Sequence, residues 1–203
     1  MARLADPDLA VRRRQQILDA AEACFRRRGF HQATMQEICA EARISPGALY
    51  RYFDSKADII AAISEEKRRD AEEEFRKLMV ERTFIDSLIA VARKFLAKHS
   101  DSEAGSLLCD IASEAARDSI LAQRLFGIQE GSVASLAEAV AVAQARGEID
   151  PALAPMEVAR MLMTFFDGIS VRAAFKIEPH ETILHQFRVV AERYLAPTTR
   201  APT

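Results

Sequence analysis

Apolar residues recur along most of this chain at spacings of three and four, the period of a helix with one buried face. Ile17, Leu18, Ala21, Cys24 and Phe25 form the first such stripe, which predicts a helix from about residue 9 to Arg28. Gly29 follows it and predicts a Schellman ending, with Phe30 turned back against Phe25. Thr34 and Glu37 have capping-box spacing and open a second helix with Met35, Ile38 and Cys39 inward. Ser45 and Pro46 suit the N-cap and first residue of a third helix, with Leu49 and Phe53 as its inward pair. Ser55 and Asp58 start a fourth helix over 55–79, led by inward Ile59, Ile60 and Ile63. Its charge run EEKRRDAEEEFRK reads as a solvated face, with Glu65–Arg69, Glu72–Arg76 and Glu73–Lys77 in the favourable i, i+4 order.

Helices are expected next near 83–99, 103–116, 118–146, 155–175 and 180–195. Gly147 with Asp150-Pro151, and Glu178-Pro179, mark the breaks, and Gly127 and Gly131 are points where the 118–146 segment can kink. No long stretch alternates with period two, so the expected class is all-α.

The second and third helices are short, nearly adjacent and braced by the first, which is the pattern of a helix-turn-helix. In such a motif the N-terminal part of the second of the two helices meets base edges in the major groove. Ser45, Pro46, Gly47 and Ala48 are small and stand there. Gly47 in a first helical turn costs about 1 kcal/mol against alanine, a cost with a purpose if another molecule must come close. Tyr50, Arg51 and Tyr52 offer long polar tips for phosphates, and arginine also reads guanine. Thr34 and Lys56 sit at helix starts, where free N–H groups favour phosphate. A plain helical hairpin with surface tyrosines is the competing reading of the same letters.

Composition adds a little. Of 203 residues, 49% are hydrophobic and 29% charged, as in a soluble globular protein. Residues 1–56 hold 10 Lys/Arg against 7 Asp/Glu, whereas the rest hold 18 against 23, so a weakly basic front precedes an acidic body. No apolar run reaches membrane-spanning length and the N-terminus lacks the apolar core of a signal peptide, so a cytoplasmic protein without a membrane partner is expected. Cys24, Cys39 and Cys109 have no paired spacing and read as buried thiols.

Residues 12–60 resemble the N-terminal domain of the TetR family of transcriptional regulators. The matching letters are Arg13 to Ala21, the AxxCFRRRGF of Ala21 to Phe30, TMQEIC from Thr34 to Cys39 and, most specifically, ISPGALYRYFDSKADII from Ile44 to Ile60. The resemblance implies an all-α fold: an N-terminal three-helix helix-turn-helix DNA-binding domain, here 9–56, and a larger helical domain, 57–196, for ligand binding and dimerisation. Carried onto this chain, it implies that Thr34, Ser45, Pro46, Gly47, Ala48, Tyr50, Tyr52 and Lys56 contact DNA. Arg51 is added on its chemistry. Arg43 stands where the family often has glycine, so the turn either takes a left-handed residue at about 1–2 kcal/mol or is built differently; its charge would face DNA.

Further implied are a homodimer, a palindromic double-stranded operator, and release from it when a small, largely apolar effector binds. Candidate effector residues are Phe84, Phe95, His99, Cys109, Asp110, Phe126, Gln129, Phe165, Phe166 and Asp167. For the dimer, the broadly apolar 156–175 segment and the last helix offer Leu162, Ile169, Arg172, Ile183, Phe187, Val190 and Tyr194, with Gly168 permitting close helix approach. No P-loop, GxSxG or HExxH motif is present, so an enzyme is not expected, nor is a cofactor; His99, Cys109 and Asp110 are a remote metal alternative. An activator of the same fold and a helical interaction protein without an effector remain the alternatives to a repressor.

Overall fold

A computed structural model of the chain describes residues 7–98, 102–176 and 178–197. Among these, the regular elements are helices: α1 Pro7–Arg28, α2 Met35–Glu41, α3 Pro46–Tyr50, α4 Lys56–Glu81, α5 Phe84–Lys98, α6 Ser102–Ala115, α7 Ser119–Ala145, α8 Pro155–Ala174 and α9 His180–Leu195. The expected all-α class and helix order hold. Gly127 and Gly131 do not split α7. It is one helix, and at Gly131 the missing side chain makes room for Arg68, whose Nη1 would lie 3.1 Å from an added Cβ.

The chain forms two compact units, Met1–Glu66 with Ser106–Leu125, and Lys67–Gly105 with Phe126–Thr203. In the first, α1 packs on α2 and α2 on α3. Their stripes meet in a core of Ile17, Leu18, Phe25, Phe30, Ile38, Leu49, Phe53, Ile59, Ile60 and Ile63, joined by Leu107 and Leu121. Leu49 and Phe53 are 0% and 6% exposed, so the inward pair is where its spacing put it. Arg14 lies over the Phe53 ring at 5.3 Å and bonds Glu66 at 2.9 Å, closing the edge of this core.

In the second unit α9 packs on α5 and α8. Phe84, Leu88, Ile89, Leu96, Val140, Ile149, Val158, Leu162, Ile183, Leu184 and Phe187 are buried together. Thr83 caps α5, its Oγ1 accepting from the Asp86 N–H at 3.2 Å, and Glu148 Oε2 accepts from the Phe84 N–H at 2.6 Å, satisfying a further free N–H at the same helix start. On the charge run, Glu73 pairs with Lys77 at 2.7 Å as expected, but Glu72 pairs backwards with Arg68 at 2.6 Å rather than with Arg76. By length and composition alone α7 is apolar enough to cross a membrane; Leu121, Val133, Ala137, Val140 and Ala143 on it are buried in the protein's own cores.

Candidate nucleic-acid interface

The candidate face is built from helix ends. At the start of α2, Thr34 Oγ1 accepts from the Glu37 N–H at 3.2 Å and Glu37 Oε2 accepts from the Thr34 N–H at 2.9 Å. Both bonds of the capping box are made. The Glu37 carboxylate accepts from the Thr34 N–H and also from its hydroxyl at 3.0 Å, and these, with the Arg28 and Arg27 charges adding, hold it below the usual carboxylate range. Arg28 bonds Glu37 at 2.6 Å and Arg27 bonds Glu41 at 2.8 Å, so the last turn of α1 neutralises the acids of α2.

The turn from α2 to α3 is a complete Schellman motif. Ile44 N–H returns to Cys39 O at 3.0 Å and Arg43 N–H to Ala40 O at 3.1 Å. Arg43 sits at C′ with φ +52°, the left-handed region. The turn is therefore built as a glycine would build it, with an arginine bearing the strain. Gln16 of α1 donates to Ala42 O at 2.6 Å and pins the same turn from beneath. Then Ser45 caps α3, accepting from the Ala48 N–H at 3.3 Å, and Pro46 takes the first helical position.

Arg43, Ser45, Pro46, Gly47, Tyr50 and Arg51 are exposed in a row along this turn and helix, and Ala48 is half-buried. Tyr50 is 50% exposed. No atom of the chain outside its own turn lies within 4 Å of where a Gly47 side chain would start, so internal packing does not demand that glycine. Tyr52 differs: it lies just past α3 and packs its ring against the first core. Thr34 is exposed, but its N–H and hydroxyl are engaged in the cap.

Lys56 stands at the start of α4 and turns inward. Its Nζ donates to Phe30 O at 2.8 Å and His31 O at 2.9 Å and lies 5.0 Å from the centre of the Phe30 ring. Burial holds this amine below the ordinary lysine value, against the opposing pull of Glu114 and Glu37. Nearby, Asp58 accepts from Ser55 and from Arg124 of α7, and burial, which would raise its pKa, is overridden by those bonds and the Arg124 charge. The Arg124 pairing was not legible in the sequence, since 66 residues separate the partners.

At the end of α1 the expected Schellman ending is not formed. Gly29, φ +79°, returns its N–H to Phe25 O at 2.8 Å, the simpler left-handed ending. The Phe25 and Phe30 rings still meet, 5.1 Å apart. The Phe30 N–H goes elsewhere, to Asp110 Oδ2 at 3.2 Å. Asp110, read from sequence as an effector residue, is thus a structural acceptor in the first unit, where Cys109 also lies half-buried.

The remaining effector candidates divide. Phe95 and Phe166 meet edge-on at 4.9 Å, and Gln129 donates to Asp167 at 2.8 Å, joining α7 to α8. Phe84 is fully buried against Phe75 and serves as core. Phe126 and Phe165 are exposed, at 59% and 38%. His99 lies outside the described residues. Among those described, no three His, Cys, Asp or Glu are placed to hold a metal.

Of the dimer candidates, Leu162, Ile169, Ile183 and Phe187 are consumed by the chain's own core, Tyr194 packs against it, and Arg172 pairs with Glu178. What α8 and α9 leave outside is Met156, Phe165, Val171, Phe175 and Val190. Gly168 is exposed among them on α8, with no atom outside its own turn within 4 Å of an added Cβ.

Comparison with known proteins agrees with this geometry. Residues 17–63 match the profile of bacterial regulatory proteins of the tetR family, and residues 81–179 match the tetracyclin repressor-like C-terminal domain. The HTH-type transcriptional regulator UidR of Escherichia coli K12 is 30% identical over 156 residues, 77% of this chain and 79% of that protein. The A-factor receptor protein of Streptomyces griseus is 30% identical over 80% of this chain and 55% of its own length. Among solved structures, Salmonella enterica GusR superposes with a TM-score of 0.77 at 29% identity, covering 95% of this chain and 98% of that one. Thermus thermophilus FadR, a TetR-family repressor solved with lauroyl-CoA, shares the fold with a TM-score of 0.72 at 22% identity, over 94% and 99% of the two chains.

Proposed function

Because the chain belongs to the TetR family of bacterial regulatory proteins, we propose a specific mechanism for it: a homodimeric repressor that holds a palindromic operator and releases it when an effector binds. It is a ligand-responsive, DNA-binding transcriptional regulator. In this reading residues 9–56 are the reading head and 57–196 serve the effector and the dimer. It acts in the cytoplasm on DNA and performs no catalysis.

The observation that carries the reading is the rigid, outward-facing α2–α3 pair. Its turn is closed by two backbone bonds, its helix starts are capped, and Ser45, Pro46 and Gly47 present a low surface where α3 begins. Small residues there let the helix backbone approach base edges in a major groove. Arg43, Tyr50 and Arg51 supply exposed groups for phosphates and bases on either side. Tyr52 and Lys56 contribute less directly, Tyr52 by shaping α3 and Lys56 by tying the α1–α2 turn to the start of α4.

For the effector, Phe95 and Phe166 supply the apolar wall and Gln129–Asp167 the polar mark. The lauroyl-CoA found with a protein of the same fold carries an apolar acyl chain, which supports a ligand with an apolar part. The dimer contact falls on the outer face of α8, where Val171 and Phe175 flank Gly168 and no core residue is needed. Selection of the purified protein against a random duplex pool at moderate salt tests the core of this proposal. Enrichment of a two-fold symmetric sequence is expected. Binding that falls with salt but enriches no sequence would overturn it.

A further inference from the structure

Two helices other than its neighbours hold the turn between α1 and α2. Lys56 of α4 takes the Phe30 and His31 carbonyls. Asp110 of α6 takes the Phe30 N–H. A helix end leaves such groups without intrahelical partners, and they cost free energy unless something supplies them. Here the acceptor is a carboxylate, the stronger kind.

The approach is close. A Cβ on Gly29 would lie 2.7 Å from Asp110 Oδ2 and 3.8 Å from its Cγ. The carboxylate therefore occupies the space that any other residue at 29 would need. Gly29 is fixed twice over, by its φ of +79° and by this neighbour. One turn further along α6, the Glu114 carboxylate lies 3.5 Å from His31 Nδ1 of the same short turn.

We infer that Asp110 is a positioning residue for DNA recognition: it is the acceptor on α6 that sets the direction in which α2 and α3 leave α1. It touches no nucleic acid. It acts through the Phe30 N–H, and losing it leaves α2 and α3 folded but freer to swing about the Gly29 corner. Phosphate contacts tolerate such a swing, because they carry no base information; base-edge contacts do not. The signature is therefore a loss of discrimination rather than of binding. The inference rests on α2–α3 being the reading head.

The test uses the full chain, its selected operator and a scrambled duplex of equal length. Asp110→Leu removes the acceptor and is expected to weaken the operator about tenfold or more while leaving the scrambled duplex within about twofold. Asp110→Asn keeps an acceptor oxygen and is expected to stay within about threefold of the wild type on both. Gly29→Ala is expected to resemble Asp110→Leu, and to cost less when Asp110→Ala is already present, because the carboxylate it strikes is gone. If Asp110→Leu does not fold, as judged by its thermal transition, Asp110→Ala takes its place in the same comparison. An unchanged operator-to-scrambled ratio in a folded acceptor-less variant overturns the inference, as does an asparagine variant no better than leucine. A wild type that selects no operator overturns the DNA-reading role and this inference with it, and that result is visible before any variant is made.

Discussion

Two corners of the reading head use left-handed backbone, and they use it in opposite ways. At the first, Gly29 adopts φ +79° and the space beside it is filled by Asp110. At the second, Arg43 adopts φ +52° and is exposed. The first corner is held by groups distant in the chain, Asp110 and Lys56, and makes only the simpler backbone ending. The second is held by its own backbone, with both Schellman bonds formed, assisted by Gln16. A corner that closes on itself can carry the strain of a side chain. A corner closed by its neighbours has no room for one.

The sharpest way to break this comparison is to exchange the residue classes. Gly29→Ala should destabilise the protein by about 2 kcal/mol or more, from the left-handed penalty plus displacement of the Asp110 bond. Urea unfolding measures it, and a loss below about 0.5 kcal/mol would mean the two corners are equivalent. Acid should act less sharply and on the other side. Glu37 and Asp58 are both held below the ordinary carboxylate range, so the unfolded chain binds their protons more readily than the folded one. Their stabilisation is complete above the unfolded carboxylate value, about 4, and fades as pH falls through the lower folded values. The unfolding midpoint should drop over that window, and Glu37→Gln should flatten the drop. An unchanged slope would leave the Glu37 charge without a role in this stability. The smallest effect belongs to Arg43→Gly, expected to raise stability by about 0.5–1 kcal/mol once the entropy of glycine is set against the relieved strain. The same change should weaken DNA binding and lower its salt slope by about one if Arg43 meets a phosphate. An unaltered slope would place Arg43 off the backbone.

Much of the α2–α3 pair was legible in the letters. Thr34 with Glu37, and Ser45 with Pro46, are local signals, and local signals need only their neighbours to act. The inward stripes of α1 and α2, and the Leu49–Phe53 pair, were equally plain because period alone fixes which face is buried. The first corner was misread for the same physical reason. Gly29 and Phe30 announce a Schellman ending, and nothing in the local sequence says that Phe30 will find a better acceptor 80 residues away. Asp110 stands among apolar letters, as an effector residue would, but those belong to the first core. The last two helices show another limit. Leu162, Ile169, Ile183 and Phe187 form clear stripes, but a stripe says that a face is buried and not by what; here the chain's own core takes it. The outward residues of α8 give no such pattern, being apolar positions scattered among polar ones.

The Schellman turn at Arg43 also bears on how such a protein changes over time. Every arginine codon is one base away from a glycine codon. A single mutation at this corner can therefore remove an exposed positive charge and relieve a strained backbone together, while both bonds that close the turn stay in place. The reverse step adds charge at a modest loss of stability. Residue 43 is a position where surface charge can drift in small reversible steps without refolding the turn, whereas residue 29, wedged against a carboxylate, has no such freedom.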